Sequence, residues 1–178
     1  MRGVIDDLRW GVIFSFSGFL WMCLEFSLGM QTTRIDLHPV VTNLYAPVAI
    51  TIMTLAIRDH RDADGKLSWA DGLRAGMTVS AVTSALAAPS LWLFLRYVNP
   101  RFFSRMIADA AAHGRPLAEA RACFNFRAYA IESTVGPLVM GLITSVIVVA
   151  VLRALARRHH AAAAAALAGA AAPTEPRG

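Results

Sequence analysis

Only two cysteines occur in the 178 residues. Cys23 and Cys123 lie a hundred positions apart, so no disulfide framework is expected and both are read as free thiols. Charge is also scarce: Asp, Glu, Lys and Arg make up 16% of the chain, against about 25% in ordinary soluble domains. Lysine is almost absent, with Lys66 alone beside sixteen arginines. Together with abundant alanine, that bias points to a GC-rich bacterial genome. No glycine-rich phosphate loop, no nucleophile paired with a base and no complete set of metal ligands appears, so the chain is not expected to be an enzyme or to hold a cofactor. The five histidines, His38, His60, His113, His159 and His160, all fall at the ends of apolar runs or outside them. That placement leaves no intramembrane axial pair for haem.

What is present is apolar length. Apolar residues form 56% of the chain and the mean hydropathy is +0.50. The first run, Trp10 to Gly29, is interrupted only by small hydroxyls and Glu25. Twenty residues at 1.5 Å rise span about 30 Å, the thickness of a bilayer's hydrocarbon core. The run is longer than the core of a secretory signal and ends in Leu24-Glu25-Phe26 without a small-x-small cleavage site, so a retained helix is expected after a short amphipathic lead-in at 1–9. Similar spans are expected at 38–57, 69–98 and 128–155, with Pro39 in the first turn of the second and kinks at Pro47, Pro89 and Pro137. Ser68 and Asp71 have capping-box spacing at the start of the third. Asn99 is read as an N-cap and Pro100 as the first residue of an amphipathic interfacial segment over 99–127. The low-complexity tail, 159–178, is expected to extend the last helix through its alanines and to end in disorder. The fold class is thus an all-α integral membrane bundle of four kinked helices, with the interfacial segment between the third and fourth.

Along the third span Gly72, Gly76, Ser80, Ser84 and Ala88 recur at every fourth position. Such a row lets a neighbouring helix approach closely, and Gly141 and Ser145 supply small residues to the packing face of the last span. Val79, off the row, would tolerate leucine if it faced lipid. The expected partners are the lipid bilayer and either a second copy or another membrane protein. Nucleic acid is not expected, because the arginines flank apolar spans, where they face anionic headgroups. Ten of the 17 Lys and Arg lie in the two termini and the 58–74 loop. By the positive-inside rule this places both termini in the cytoplasm of a bacterial inner membrane.

Glu25 lies about 22 Å along the helix from Trp10, near the far interface. Arg34, His38, Arg127 and Glu132 should lie at the same level, so a polar cluster of Glu25, Arg34, His38, Arg127 and Glu132 is expected there. A structural ion pair is the expected role of Glu25, and proton coupling is the competing one. Residues 60–71 place Asp62, Asp64, Gly65 and Asp71 at the spacing of a calcium loop. His60 stands where the first carboxylate is needed and Asp71 is shorter than the usual glutamate, so a solvated turn without metal is expected.

Several short motifs recur in a fixed order: Leu24-Glu25 with Gly29, Leu37-His38-Pro39, Gly65-Lys66-Leu67, Asp71-Gly72-Leu73-Arg74-x-Gly76, and Asn99-Pro100-x-Phe102 with Met106. In these the chain resembles, over about residues 10–155, a bacterial membrane family known only as domain of unknown function four-one-nine-nine. The resemblance implies a four-helix inner-membrane protein and no established activity. Residues 108–127 and 156–178 depart from it. The expected function is a non-enzymatic association or accessory membrane protein acting through its small-residue faces. A small transporter or ion-coupled channel using Glu25 is the alternative, and a lipid-modifying enzyme comes third.

Overall fold

The computed structural model describes residues 2–62 and 64–170, and every regular element among them is helical. The elements are α1 (Arg2–Ser27), α2 (His38–Asn43), α3 (Ala46–Arg58), α4 (Trp69–Leu93), α5 (Phe102–Ala112), α6 (Leu117–Cys123) and α7 (Phe126–Ala170). Four stretches are long and apolar enough to cross a membrane: Gly3–Ser27, Ile35–Arg58, Trp69–Val98 and Phe126–Ala162. The chain is a membrane-type helical bundle.

Several boundaries differ from those read in the sequence, each for a local reason. The lead-in at 1–9 is part of α1 from Arg2 onward, and its Asp7 turns inward to meet His60 at 2.6 Å. The helix stops at Ser27 because Gly29 takes φ +77°, a left-handed conformation suited to glycine, and its carbonyl accepts from the N–H groups of Thr32, Thr33 and Arg34. The second span is broken rather than kinked. Pro47 has no N–H for the carbonyl of Asn43, so α2 ends at Asn43 and α3 restarts at Ala46 with the proline in its first turn. In the third span Pro89 lies inside α4, which then widens into a π-helical turn over Phe94–Val98. Ser68 occupies the N-cap of α4 with extended backbone but makes no side-chain capping bond, and Asp71 lies 4.0 Å from Arg74 instead. Asn99 is not an N-cap: α5 begins three residues later, and the Asn99 side chain is buried and used elsewhere. The last helix starts at Phe126, where Asn125 Oδ1 accepts from the N–H of Ala128, and continues through Pro137 to Ala170. The proline-containing end of the tail, 171–178, lies outside the described residues.

The bundle is organised around α4, which packs on α1 along one side and on α7 along the other, with α3 across both. A Cβ on Gly72 would come 2.5 Å from Val149, one on Gly76 would come 2.8 Å from Ser145 Cβ, and one on Gly141 would come 2.7 Å from Ser80 Cβ. Partner numbers fall as those of α4 rise, so the two helices run antiparallel with Gly76 against Ser145 and Ser80 against Gly141. Each glycine makes room for the serine opposite. Gly72, Gly76, Ser80 and Ser84 are buried, whereas Ala88 is partly exposed and the row fades there. Val79 does not face lipid: it is fully buried, in the seam where a Cβ on Gly11 of α1 would lie 3.2 Å from its carbonyl oxygen and 2.5 Å from Val82 Cβ.

The tightest core fills the half of the bundle nearer the N-terminus of α1, from Met53, Ala56, Ile57, Ala75, Val79, Val148 and Val149, with Trp10 and Phe14 against it. The outer faces stay apolar. Val12, Phe16 and Leu20 of α1 and Val139, Ile143 and Ile147 of α7 are all exposed. Water would penalise that surface, but hydrocarbon does not.

Candidate functional site

At the end of the bundle where α1 and α4 finish, one carboxylate gathers four side chains from three parts of the chain. Glu25 is 2% exposed. Its Oε1 accepts from Trp21 Nε1 at 3.0 Å and from the Thr42 hydroxyl at 2.7 Å; its Oε2 accepts from Gln31 Nε2 at 3.1 Å and faces His38 Nδ1 at 3.5 Å. Four groups therefore surround an acid whose two oxygens offer about four acceptor positions. The Thr42 proton goes to Glu25, so its oxygen, 3.3 Å from His38 Nδ1, can only accept there. His38 thus carries its proton on Nδ1, the nitrogen turned toward both Thr42 and Glu25.

The network runs further along the Gln31 side. Asn99 Nδ2 donates to Gln31 Oε1 at 3.1 Å, and Arg105 Nη1 donates to Asn99 Oδ1 at 3.1 Å. Every amide in this relay points the same way, because a guanidinium can only donate and a carboxylate can only accept. The sequence holds the relay by ordinary means. Trp21 is one helical turn before Glu25, Gln31 follows the Gly29 turn, Thr42 is one turn after His38 on α2, and the π-helical turn carries Asn99 back under α1. Aromatic rings cover the cluster. Phe102 lies 6.0 Å edge-on to His38 and 5.5 Å from Tyr129 of α7, and Phe26 stands 6.4 Å from the buried Phe94.

Of the five residues expected to cluster, the structure brings Glu25 and His38 together. Arg34, Arg127 and Glu132 are exposed, and none of them bonds to Glu25 among the described residues. Arg34 stands at the start of the short 3-10 turn before α2, and on α7 it is Tyr129 that reaches the aromatic cover, not Arg127 or Glu132. Trp21, Gln31, Thr42, Asn99 and Arg105 take their place. Asn99 and His38 both sit in the short motifs quoted above, and with Glu25 and Phe102 they form a set that is scattered in sequence but joined in space through Gln31 and the His38 ring.

A second buried acid sits at the opposite end. Asp7 is fully buried, pairs with His60 at 2.6 Å, and keeps Oδ2 without a partner among the described residues, while Trp10 Nε1 donates to Asp59 at 2.9 Å. Asp7 and Glu25 are eighteen residues apart, five turns of helix, so both lie on one face of α1 about 27 Å apart. Each meets a histidine from one end of the broken second span. Midway, the Ser17 and Tyr45 hydroxyls share a hydrogen bond of 2.7 Å. Between the two ends a cleft of about 310 Å³ opens between α3 and α7, lined by Ala46, Ala49, Met53, Thr83, Gly136 and Met140 among others. No member of the Glu25 relay lines it.

No curated protein and no solved structure matches the chain. Residues 9–154, which include α1 from Arg9, the Glu25 cluster and the α4–α7 seam, match the family described as protein of unknown function (DUF4199), and the chain belongs to that family.

Proposed function

We propose that this is a non-enzymatic accessory protein of a bacterial inner membrane that acts by association within the bilayer. The observation that carries the reading is that the polar cluster is closed, whereas the lateral surface is not. Glu25 accepts three hydrogen bonds from its own chain and faces His38 Nδ1 at 3.5 Å. The small-residue row on α4 is occupied by α7 within the same molecule, so association through small residues falls to the cleft between α3 and α7; a second apolar groove, between α1 and α4, is lined by Val12, Phe16 and Leu86. The walls of the α3–α7 cleft mix Ala46, Ala49, Gly136 and the two methionines with the larger Phe14, Tyr45 and Ile50, and the small positions are the kind that lets transmembrane helices approach. The test is oxidative cross-linking in membranes after Cys23→Ser and Cys123→Ser, with Ala49→Cys in the cleft and Val12→Cys on the far side of α1. A disulfide-linked dimer from Ala49→Cys and none from Val12→Cys is expected. A monomer in both, with a monomeric mass in detergent, would count against association through the cleft.

A small transporter or ion-coupled channel using Glu25 is the second reading. It draws on the two acid–histidine pairs aligned on one face of α1. Against it stands the largely apolar lining of the cleft between them, which offers a proton few hydrogen-bonding groups. A lipid-modifying enzyme would need an activated nucleophile. Thr42 gives its proton to Glu25 and meets His38 through the same ring nitrogen that faces the acid, which is not the arrangement of a nucleophile and its base.

A further inference from the structure

The end of the bundle that carries Asp7 also holds two adjoining clefts of about 440 and 260 Å³, between the α3–α4 connection and the last part of α7, which share Ala156 and His160. Six basic side chains line them: Arg61, Lys66, Arg153, Arg157, His159 and His160. Two acids are present as well, and both have partners within the loop. Asp62 Oδ1 accepts from the N–H of Lys66 at 2.7 Å, and Asp64 lies 3.8 Å from the Lys66 ammonium. One wall is fixed: Arg153 donates to the carbonyl of Leu67 at 2.5 Å and stacks 5.7 Å over the ring of Trp69. The Nε–H of Arg61 is buried and has no acceptor among the described residues. Buried donors are rarely left unpaired, so this one calls for an acceptor beyond the described residues, and a bound anion would supply it.

We infer that these adjoining clefts bind a phosphate group, carried on the headgroup of an anionic phospholipid. Guanidinium groups suit phosphate because their fixed forks donate two parallel bonds, matching the two free oxygens of a phosphodiester; Arg61 lines one cleft and Arg157 the other, on either side of the shared Ala156 and His160. The level is also right for a headgroup. Trp69 is 41% exposed at the first turn of α4, the place where an indole ring sits at a membrane surface. Basic pockets between helix ends are a known form of anionic-lipid site.

The test uses the full chain in a neutral maltoside detergent, following thermal stability as dioctanoyl-phosphatidylglycerol, dioctanoylglycerol or inorganic phosphate is added. Saturable stabilisation by the phosphatidylglycerol, and none by the dioctanoylglycerol with the same acyl chains, is expected. The double variant Arg61→Gln/Arg157→Gln should lose about tenfold or more in apparent affinity. Arg115→Gln/Arg121→Gln, which removes two exposed cations from the other end of the molecule, should keep it. Arg153 is left intact because it holds the loop. Stronger binding of phosphatidylglycerol than of inorganic phosphate assigns the phosphate to a headgroup, and the reverse assigns it to a free anion; both support the site. Equal stabilisation by the dioctanoylglycerol, or equal losses in the two double variants, would overturn it.

Discussion

Glu25 shows what a single residue discloses before its surroundings are known. An acid near the end of an apolar run needs a partner, and that much was legible, as was His38. The identity of the other partners was not, because Gln31, Thr42 and Asn99 are uncharged and each has a local use that hides a distant one. Asn99 before a proline has the pattern of a helix cap, and only the π-helical turn carries it to Gln31. The direction of the relay makes a sharp prediction. In Glu25→Gln the new amide NH₂ must face donors on one side or the other, and reversing Gln31 and Asn99 does not help, because Arg105 cannot accept. A loss of about 1–3 kcal/mol of stability in detergent unfolding is therefore expected, and Asn99→Leu should cost a similar amount by stranding Gln31 and Arg105. Thr42→Val should cost about 1 kcal/mol. Variants as stable as the parent protein would show that the relay does not hold this end together.

Among the elements, α4 and α7 carry the packing, and their match is local enough to be tested by compensation. The four-residue spacing of small side chains on α4 was visible in sequence, and so were Gly141 and Ser145. Their register was not, because antiparallel pairing sets Gly76 against Ser145 and Ser80 against Gly141 only in three dimensions. The α4 row and Gly141 and Ser145 are packing faces, as their spacing predicts, and because they are spent on each other inside the molecule they are not open to a partner. Gly11, which opens the α1 seam to Val79 and Val82, has only Ser15 and Gly18 at helical spacing, a shorter row than that of α4. Gly76→Ala places a methyl group where Ser145 already is, and a destabilisation of about 1–3 kcal/mol is expected. Adding Ser145→Gly should restore part of that loss. Thermal unfolding of the single and double variants decides it: no loss in Gly76→Ala, or no recovery in the double variant, would contradict the close contact. Val79→Leu should also destabilise, since Val79 is core and not lipid-facing. The broken second span illustrates another limit. Pro47 marked the disturbance, but a kink and a break differ by whether neighbouring carbonyls find other donors, which sequence does not state.

For the whole molecule, four apolar spans and an all-helical fold were legible from length and hydropathy, because only helices or closed barrels satisfy their backbone within a bilayer. Which end faces the cytoplasm rests on charge. Reporter fusions after Arg61 and after Arg158 should both report the cytoplasm, and one near His113 the periplasm; the opposite pattern would overturn the orientation. The central claim is that the buried acids of α1 are structural and that the protein works by association. Its most direct test is a pH gradient imposed across proteoliposomes containing the purified protein. The gradient should decay as slowly as in protein-free liposomes, and equally slowly with Glu25→Gln. Decay that the protein accelerates and that Glu25→Gln abolishes would contradict the account and make the molecule an ion-coupled transporter.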